Sequence, residues 1–472
     1  MQVLVLDIGS SSARALIFDE RGTIVHSAKR PYSFDVTPPG AATMEAEVLR
    51  AHVEAVIAEV LPFADDIAAV GMDTFVGNIL GVDAHGQAVT PIYTYADARS
   101  ADDVIALREQ INVRDMHQRT GTMHHTAYLP ARLHWLRRTE PALFAQVAQW
   151  IDVGTYLYRR WFPAASVPMS YSVASWSGML NRATLDWDDQ WLDRLNLTKS
   201  MLPLLSDYDV ALSGQKAAWI QLRGAQWFLA VGDGAAANIG TGCTDPTKLA
   251  LTLGTTAALR VVTKVEQPRV PFGLWNYRVN RVLHLIGGAT SEGGNIFQWA
   301  RRTLNLSDAE IKAVSERRPD AHGLTFLPLL AGERSPGWAA HATGTVSGLR
   351  LSTTPIEVLQ AAMEGVALRL AAIADQLDVP HATVIGSGGA LSPAWAQMIA
   401  NALNRSVSVL ESESVITAWG TAVLVFAALG ESVQAASPAI GAVYAPNPNH
   451  VELMQAALVR QAELYQKLYD PL

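Results

Sequence analysis

Cysteine is almost absent from this chain. Cys243 is the one cysteine among 472 residues, so a disulfide framework and a zinc site built from cysteines are both excluded. Basic residues number 36 against 44 acidic ones, and their scattered positions argue against a nucleic-acid surface. No apolar run is long enough to span a bilayer, and Met1 leads directly into strand-like sequence rather than a signal peptide. We therefore expect a cytoplasmic protein that binds neither nucleic acid nor membrane.

The length and the pattern of apolar residues predict the fold class. A chain of 472 residues is too long for one ordinary domain, so two large domains are expected. Residues 45–61 have helical periodicity, and the short apolar run at 67–72 reads as a strand. Strands that alternate with helices along the chain predict an α/β protein.

Residues 4–18 predict a β-hairpin whose turn could bind phosphate. Two apolar runs flank a turn of Gly9 and the serines that follow it, and Asp7 ends the first run. A turn of this kind can present backbone N–H groups and hydroxyls to phosphate oxygens. Asp7 can then hold the metal ion that accompanies the phosphates. The alternative is a surface hairpin with an ordinary polar turn.

Residues 249–262 repeat this plan. An apolar run is followed by Gly254, Thr255 and Thr256 and then by a second apolar run, with Thr252 in the place of Asp7. Two such hairpins, far apart in one chain, predict two domains of one plan that face each other across a nucleotide. The pair resembles the two phosphate loops of the actin, Hsp70 and sugar-kinase superfamily.

Asp233 is the candidate general base. It lies in Gly232-Asp233-Gly234, where a strand ends and an Ala-rich helix begins. A carboxylate there can reach a hydroxyl in a cleft, and the helix N-terminus favours its ionised form. The alternative is a helix N-cap, but the position just before the second hairpin favours the catalytic interpretation.

A second group of residues is typical of a polyol site. Thr74 and Phe75 follow a predicted strand, where ligands of α/β sheets are bound. Tyr95, Asp97 and Arg99 alternate along an extended segment and so share one side; the alternative is a loop with a surface ion pair. The adjacent His124 and His125 point to different sides of most backbones and lack a third ligand at useful spacing, so no metal site is expected there.

The last motif is glycine-rich. A strand at 383–387 runs into Gly388 and Gly389, and a helix follows from Ser392. These glycines would let the backbone lie against an adenosine or its phosphates. The alternative is tight packing between the helix and the sheet.

The whole chain resembles a sugar kinase of the FGGY family, from residue 4 to about 430. Five segments carry the resemblance in the family's order: the first phosphate motif at 7–14, the catalytic Asp segment at 232–234, the second phosphate motif at 254–256, the C-terminal signature at 326–348 and the adenosine motif at 386–395.

The resemblance implies two actin-like (ribonuclease H-like) α/β domains with an ATP and sugar cleft between them. Residues 1–238 would form the N-terminal sugar-binding domain, and 239–472 the C-terminal nucleotide-binding domain. The implied reaction is ATP-dependent phosphorylation of a sugar hydroxyl, with Asp233 as the catalytic base and with Asp7 and Asp233 as Mg²⁺ ligands, partly through water. The implied ATP-binding residues are Ser10, Ser11, Ser12, Arg14, Gly254, Thr255, Thr256, Gly388, Gly389 and Ser392. The implied sugar-binding residues are Thr74, Phe75, Tyr95, Asp97, Arg99 and Asp233.

Segments 74–75, 92–99, 119–121 and 125–133 look most like the gluconate-kinase branch, and Arg99 is a candidate cation for the sugar-acid carboxylate. A pentulose kinase for xylulose or ribulose is the alternative, and Gly77 departs from the pattern of both branches. An ATPase switch of the actin or Hsp70 type, or a sugar sensor without kinase activity, is the alternative of another class. The sequence leaves open whether the protein forms a homodimer.

Overall fold

A computed structural model describes residues 1–162, 166–212, 219–411, 415–431 and 438–469. Within these ranges the chain forms two seven-stranded mixed sheets with helices packed around them. No helix of the described ranges combines the length and the apolar character needed to cross a bilayer.

The strands fall into an N-terminal set and a C-terminal set. The N-terminal strands are β1 (Gln2–Ile8), β2 (Ser12–Asp19), β3 (Ile24–Pro31), β4 (Asp35–Thr37), β5 (Ala41–Met44), β6 (Ile67–Thr74), β7 (Leu80–Val82), β8 (Ile92–Tyr93), β9 (Gln149–Ile151), β10 (Met169–Ser170), β11 (Leu180–Asn181), β12 (Asp186–Trp187), β13 (Leu205–Ser206), β14 (Ala211–Leu212), β15 (Gln226–Phe228) and β16 (Val231–Gly232). The C-terminal strands are β17 (Lys248–Leu253), β18 (Ala257–Thr263), β19 (Trp275–Arg278), β20 (His284–Thr290), β21 (Thr325–Leu327), β22 (Thr345–Ser347), β23 (Thr383–Ser387), β24 (Val407–Leu410) and β25 (Ile440–Tyr444).

The helices are distributed over both halves. They are α1 (Ala46–Val60), α2 (Ala101–Arg108), α3 (Val113–Thr120), α4 (Leu129–Thr139), α5 (Pro141–Phe144), α6 (Val153–Trp161), α7 (Tyr171–Ser175), α8 (Asp189–Leu195), α9 (Asp233–Gly240), α10 (Asn295–Leu304), α11 (Asp308–Ala313), α12 (Pro355–Leu377), α13 (Pro393–Leu403), α14 (Ile416–Ala428) and α15 (Pro448–Leu468).

The N-terminal sheet has the order β14-β15-β6-β1-β2-β3, with β16 also paired to β6. β1, β2 and β3 are antiparallel neighbours, whereas β6 and β15 extend the sheet in parallel. β1 is apolar on both faces because helices cover the sheet, and all but its first residue are buried. The prediction of three opening antiparallel strands is confirmed.

The C-terminal sheet repeats this arrangement. Its order is β19-β20-β18-β17-β23-β24-β25, with β17, β18 and β20 antiparallel and with β23 and β24 added in parallel. β17 and β18 therefore correspond to β1 and β2, and the turn between them corresponds to the turn after Ile8. The α/β fold class and the prediction of two sheet domains on one plan are confirmed.

The two halves are joined by close helix packing. α9 ends near the predicted boundary at 238, and α14 from the C-terminal half packs on α9 and also on β1 and β6. Gly240 and Gly420 form the closest approach, because a Cβ on either glycine would collide with the backbone of the opposing helix. The division into 1–238 and 239–472 stays a prediction.

We expect Gly420→Ala to lower the free energy of unfolding by at least about 2 kcal/mol. The new Cβ would overlap the carbonyl oxygen of Ala236, which is backbone and cannot rotate away. Urea denaturation followed by tryptophan fluorescence measures the change. Gly224→Ala is the matched control, because its Cβ meets nothing within 4 Å, and it should stay within about 0.5 kcal/mol of the parent. Equal midpoints for the two variants would contradict the close helix contact.

Candidate active site

A cavity of about 530 Å³ lies between the two halves. Ser10, from the first turn, and Thr256, from the second, line it together with Asp233. The two hairpins therefore face a common space, and the candidate base lies in that space. This volume is typical of a small-molecule site.

Asp233 is held at the start of α9 by local backbone geometry. Its Oδ1 accepts a hydrogen bond of 2.7 Å from the N–H of Gly234. The indole of Trp176 covers the flanking Gly232 and Gly234 so closely that a Cβ on either would lie under 3.0 Å from the ring. Glycine is therefore required on both sides of Asp233, because any larger residue would clash with this indole.

Burial dominates the electrostatics of Asp233. Burial and the charge of Asp7 together raise the pKa of Asp233 to about 6, against the opposing effects of the Gly234 hydrogen bond and the charge of Arg260. The N–H of Gly234 at the start of α9 favours the ionised form, but desolvation in the cleft outweighs this contact, so the pKa is raised rather than lowered. A pKa near 6 suits a general base at neutral pH.

Asp7 is the second-last residue of β1 and lies beside two charged partners. The parallel register pairs Asp7 with Asp73 of β6, and the antiparallel register pairs it with Arg14 of β2. Asp7 and Arg14 form an ion pair of 2.6 Å. Burial raises the pKa of Asp7, and burial together with the charge of Asp7 raises that of Asp73 well above its usual range.

The carboxylates fit a divalent cation. The charge of Asp7 raises the pKa values of Asp73 and Asp233, and the charge of Asp233 also raises that of Asp73, so a positive charge among them would relieve this repulsion. Asp73 also has a buried oxygen, Oδ1, that lacks a hydrogen-bond partner among the described residues. Carboxylate oxygens are the ligands that hard divalent cations prefer.

A different cluster satisfies a simple distance criterion for metal binding. Ligand atoms of Asp320, His322 and Glu364 lie within 4.8 Å of one another. However, His322 Nδ1 accepts from the N–H of Leu324, so its protonated Nε2 donates to Glu364 at 3.0 Å. Asp320 pairs with Arg460. These residues form a satisfied polar network, and we assign no metal to it.

Both predicted phosphate turns are closed by backbone hydrogen bonds. Gly9 N–H donates to Ser12 O, and Gly254 N–H donates to Thr256 O, each at 3.0 Å. Ser11, Thr255 and Thr256 are exposed, whereas Ser12 is buried. In the second hairpin the guanidinium of Arg260 donates to Thr252 Oγ1 at 3.1 Å, so an arginine there anchors to the residue that replaces Asp7.

The predicted adenosine motif lies beside the second turn. Gly388 has φ +112°, and a Cβ there would overlap the carbonyl oxygen of Leu253. Gly389 faces open space. Ser392 caps α13 by accepting from Trp395 N–H. Gly388 thus allows the close approach of two backbone segments, and Ser392 caps a helix. Their contact with ATP stays a prediction.

The predicted sugar-binding residues divide into two groups. Tyr95 lines the cavity, together with Val76 and Gly77. Thr74 and Phe75 are buried, and neither is among the described residues that line the cavity.

Asp97 and Arg99 are engaged with each other, and the described lining of the cavity includes neither. Asp97 is 1% exposed and accepts from Ala42 N–H. Arg99 bonds to Asp97 at 2.6 Å and lies over the ring of Trp135. The ion pair is therefore partly buried and supports the loop that carries Tyr95. Direct contact of Asp97 or Arg99 with a sugar stays a prediction.

An aromatic wall of the cavity was missed from the sequence. We use this name for Tyr128, Trp176, Trp275, Tyr277 and Trp338. Trp176 stacks on Tyr277 with ring centroids 3.5 Å apart, and Tyr277 stacks on Trp275. Tyr128 and Tyr277 share a hydrogen bond of 2.7 Å between their hydroxyls. The high tryptophan count was the available signal, but it did not indicate which indoles meet.

Two cations in the cavity were also not predicted. Arg260 and Arg334 line it, together with His125, whose ring packs edge-on against Trp338. Burial and the charge of Arg334 lower the pKa of His125 to about 3. His125 is therefore neutral, and its ring nitrogens are suited to hydrogen bonding with hydroxyls.

Thr421 of α14 reaches across to the N-terminal sheet. Its hydroxyl donates to Asp73 Oδ2 at 2.7 Å. We expect Thr421→Val to lower the free energy of unfolding by about 1–3 kcal/mol, because a buried carboxyl oxygen loses its donor. Calorimetry or urea titration measures this. Thr198→Val removes an exposed hydroxyl contact to Ser200 and serves as the control; a loss no larger than that of the control would refute the role of Thr421.

Comparison with known families decides the identity of the chain. Residues 2–237 match the N-terminal domain of the FGGY family of carbohydrate kinases, and residues 249–429 match its C-terminal domain. The chain belongs to the FGGY family of carbohydrate kinases. An FGGY kinase is a sugar phosphotransferase that uses ATP, generally with a divalent metal. The resemblance inferred from the five motifs is confirmed.

The FGGY kinase is similar to relatives with different substrates. It is 27% identical to a gluconokinase of Bacillus subtilis (strain 168), over 94% of this chain and 91% of the relative. It is 26% identical to a xylulose kinase of Escherichia coli (strain K12), over 88% of each. The crystal structure of gluconate kinase from Lactobacillus acidophilus superposes with a TM-score of 0.92 at 25% identity, covering 99% of this chain and 98% of that one.

Proposed function

We propose that this FGGY kinase phosphorylates a sugar acid, D-gluconate, with ATP and Mg²⁺. The observation that carries the proposal is Arg334, a cation that lines the cavity with no carboxylate within ion-pair distance among the described residues. A sugar acid supplies that carboxylate, whereas a pentulose does not. The similarity to gluconokinases supports the same choice.

Arg334 is the better candidate for this contact than Arg99. Arg99 already has its carboxylate in Asp97. Arg260 is the other cation of the cavity, but it bonds to Thr252, and the charge of Asp233 raises its pKa. The charge of Arg334 affects the pKa values of His125, Tyr128 and Tyr277, so Arg334 lies near the aromatic wall, which would hold the carbon chain.

In the proposed reaction Asp233 accepts the proton of the sugar hydroxyl. The hydroxyl oxygen forms a bond to the γ-phosphorus, and the bond from that phosphorus to the β,γ-bridging oxygen breaks, so ADP leaves with the electron pair. Ser10 and Thr256 border the space where the phosphates would lie. Positioning and charge neutralisation carry most of the catalysis of such transfers.

Asp7 and Asp233 would hold Mg²⁺, in part through water. When bound, the ion would neutralise charge on the phosphates. The pair of Asp7 with Arg14 fixes the orientation of that carboxylate at the end of β1. Closure of the two halves around the cavity would exclude water and limit ATP hydrolysis.

Coupled ADP release over a panel of D-gluconate, xylulose, ribulose and glycerol tests the proposal. We expect turnover to depend on the acceptor and kcat/KM to be highest for gluconate. A preference for xylulose or ribulose would replace gluconate by the pentulose alternative. Turnover without any acceptor would instead support an ATPase switch, and binding of a sugar without turnover would support a sensor.

A further inference from the structure

A second cavity, of about 610 Å³, lies between the two halves and apart from the catalytic one. Its N-terminal wall comes from α3 and the segment around Arg182, and its C-terminal wall comes from residues 266–272 and His284. None of its lining residues is among those that line the catalytic cavity. Nothing in the phosphoryl-transfer reaction requires this second space.

The charge in the second cavity is predominantly positive. Arg114, Arg182 and Arg269 line it, against one carboxylate, Glu266. Neither Arg182 nor Arg269 has a carboxylate within ion-pair distance in the described part of the chain. A cavity with this excess of guanidinium groups is suited to a small anion, since each group offers a planar fork of donors to phosphate or carboxylate oxygens.

Arg182 is already oriented by both halves of the protein. Its Nε donates to Gln118 O at 2.9 Å, and its Nη1 donates to Pro268 O at 3.1 Å. The side chain therefore bridges α3 and the 266–272 segment before any ligand arrives. A preorganised cation of this kind loses less conformational entropy on binding than a free surface side chain does.

The nearby arginines lower the pKa values of the two histidines that line the cavity. Burial and the charges of Arg182 and Arg114 lower the pKa of His117. Burial, followed by the charges of Arg278 and Arg182, lowers that of His284 to about 3. Both imidazoles are therefore neutral, and the cationic character of the cavity comes from its arginines.

The second cavity is connected to the catalytic one through β19 and Leu274, the residue before it. His117 Nε2 bonds to Leu274 O at 2.7 Å, and Asn276 N–H donates to Gly121 O, at the end of α3. The residues that alternate with these, Trp275 and Tyr277, belong to the aromatic wall. A ligand that ties α3 to the 266–272 segment would thus act on the strand that shapes the sugar side.

We propose that the second cavity is an effector site for a small polyanion, a phosphate ester or a polycarboxylate, which bridges the two halves and changes the affinity for the sugar. The coupling is reciprocal, so bound sugar changes the affinity for the anion by the same factor. The site is separate from the proposed gluconate contact, so it does not depend on the identity of the sugar.

Isothermal titration of the full chain tests the site with glycerol 2-phosphate and citrate as probes, and with glycerol and added chloride as controls. The double variant Arg114→Gln/Arg269→Gln removes two exposed cations, so the fold should be retained. We expect it to weaken probe binding by at least about 10-fold, as for loss of charge-assisted hydrogen bonds, while kcat and the sugar KM without probe stay unchanged. Binding of one probe alone identifies phosphate esters or polycarboxylates as the class.

Three outcomes would overturn the proposal. If both probes bind the double variant as tightly as the parent, they occupy another site, such as the phosphate turns. If neither probe binds the parent more tightly than chloride does, the cavity is not an anion site. A probe that binds at this site and leaves the sugar KM unchanged would refute the effector role. All three readouts are independent of which sugar is phosphorylated.

Discussion

Asp233→Asn is expected to reduce kcat by about 10³-fold, within the range that a positioned general base contributes. The amide keeps the shape of the side chain beside Trp176 and Gly234 but cannot accept the hydroxyl proton. Binding of ATP, measured by titration calorimetry, should change little, because the phosphate turns remain intact. The coupled assay of ADP release measures the loss of turnover.

Asp209→Asn is the matched control, since that carboxylate is exposed and lies outside the described lining of the cavity. It should leave kcat unchanged. If Asp233→Asn retains near-parental turnover, the base is another group. If the variant loses ATP affinity as severely as turnover, Asp233 acts mainly in holding the metal and nucleotide.

The pH profile gives an independent measurement of the same group. A base must be ionised to act, and burial raises the pKa of Asp233 to about 6. We therefore expect kcat/KM to fall about 10-fold per pH unit below pH 6 and to level off above it. Because a bound cation favours the ionised carboxylate, saturating Mg²⁺ should move this limb to lower pH. A profile that stays flat down to pH 4 would contradict the assignment.

Arg334→Gln is expected to raise the KM for gluconate by about 10- to 150-fold, the equivalent of a hydrogen bond to a charged group. The KM for ATP should change little. A neutral acceptor such as xylulose lacks the carboxylate, so its KM should be nearly constant. Steady-state kinetics with both acceptors measure the ratio of the two specificity constants, which cancels effects on overall stability.

Arg99→Gln is the matched control for this ratio. Its guanidinium is bonded to Asp97 and stacked on Trp135, so the variant should lose stability without a selective effect on gluconate. If Arg99→Gln changes the ratio and Arg334→Gln does not, the original prediction for Arg99 is right and the contact assigned to Arg334 is wrong.

The hairpins, the helix at 46–60 and the strand before Asp233 were predictable because their signals are local. An apolar run that ends at a turn of small residues is compatible with few structures other than a hairpin, and the same pattern occurs twice in the chain. The polar composition of segment 118–130 indicates a loop, yet its first residues complete α3, which Asn112 caps. That capping signal was present in the sequence but is short.

The aromatic wall and the contact of Arg334 with the cavity could not be predicted in the same way. Trp176 and Tyr277 lie about a hundred positions apart, and neither shows periodicity toward the other. The ion pair of Asp97 with Arg99 was visible as a pattern, but its burial under the loop that carries Tyr95 was not. These features depend on how the two halves pack.

The sequence alone determined that two copies of one hairpin plan exist, that each carries a turn of glycine and small hydroxyl residues, and that a carboxylate follows a strand just before the second copy. Tertiary structure decided that both turns and Asp233 share one cavity, that its walls are aromatic and cationic, and that Asp233 has a raised pKa. The hairpins and the position of the carboxylate are encoded locally, because backbone conformation depends on neighbouring residues. The shared cavity and the raised pKa depend on desolvation and on contacts between distant segments, which arise only when the two sheets pack against each other.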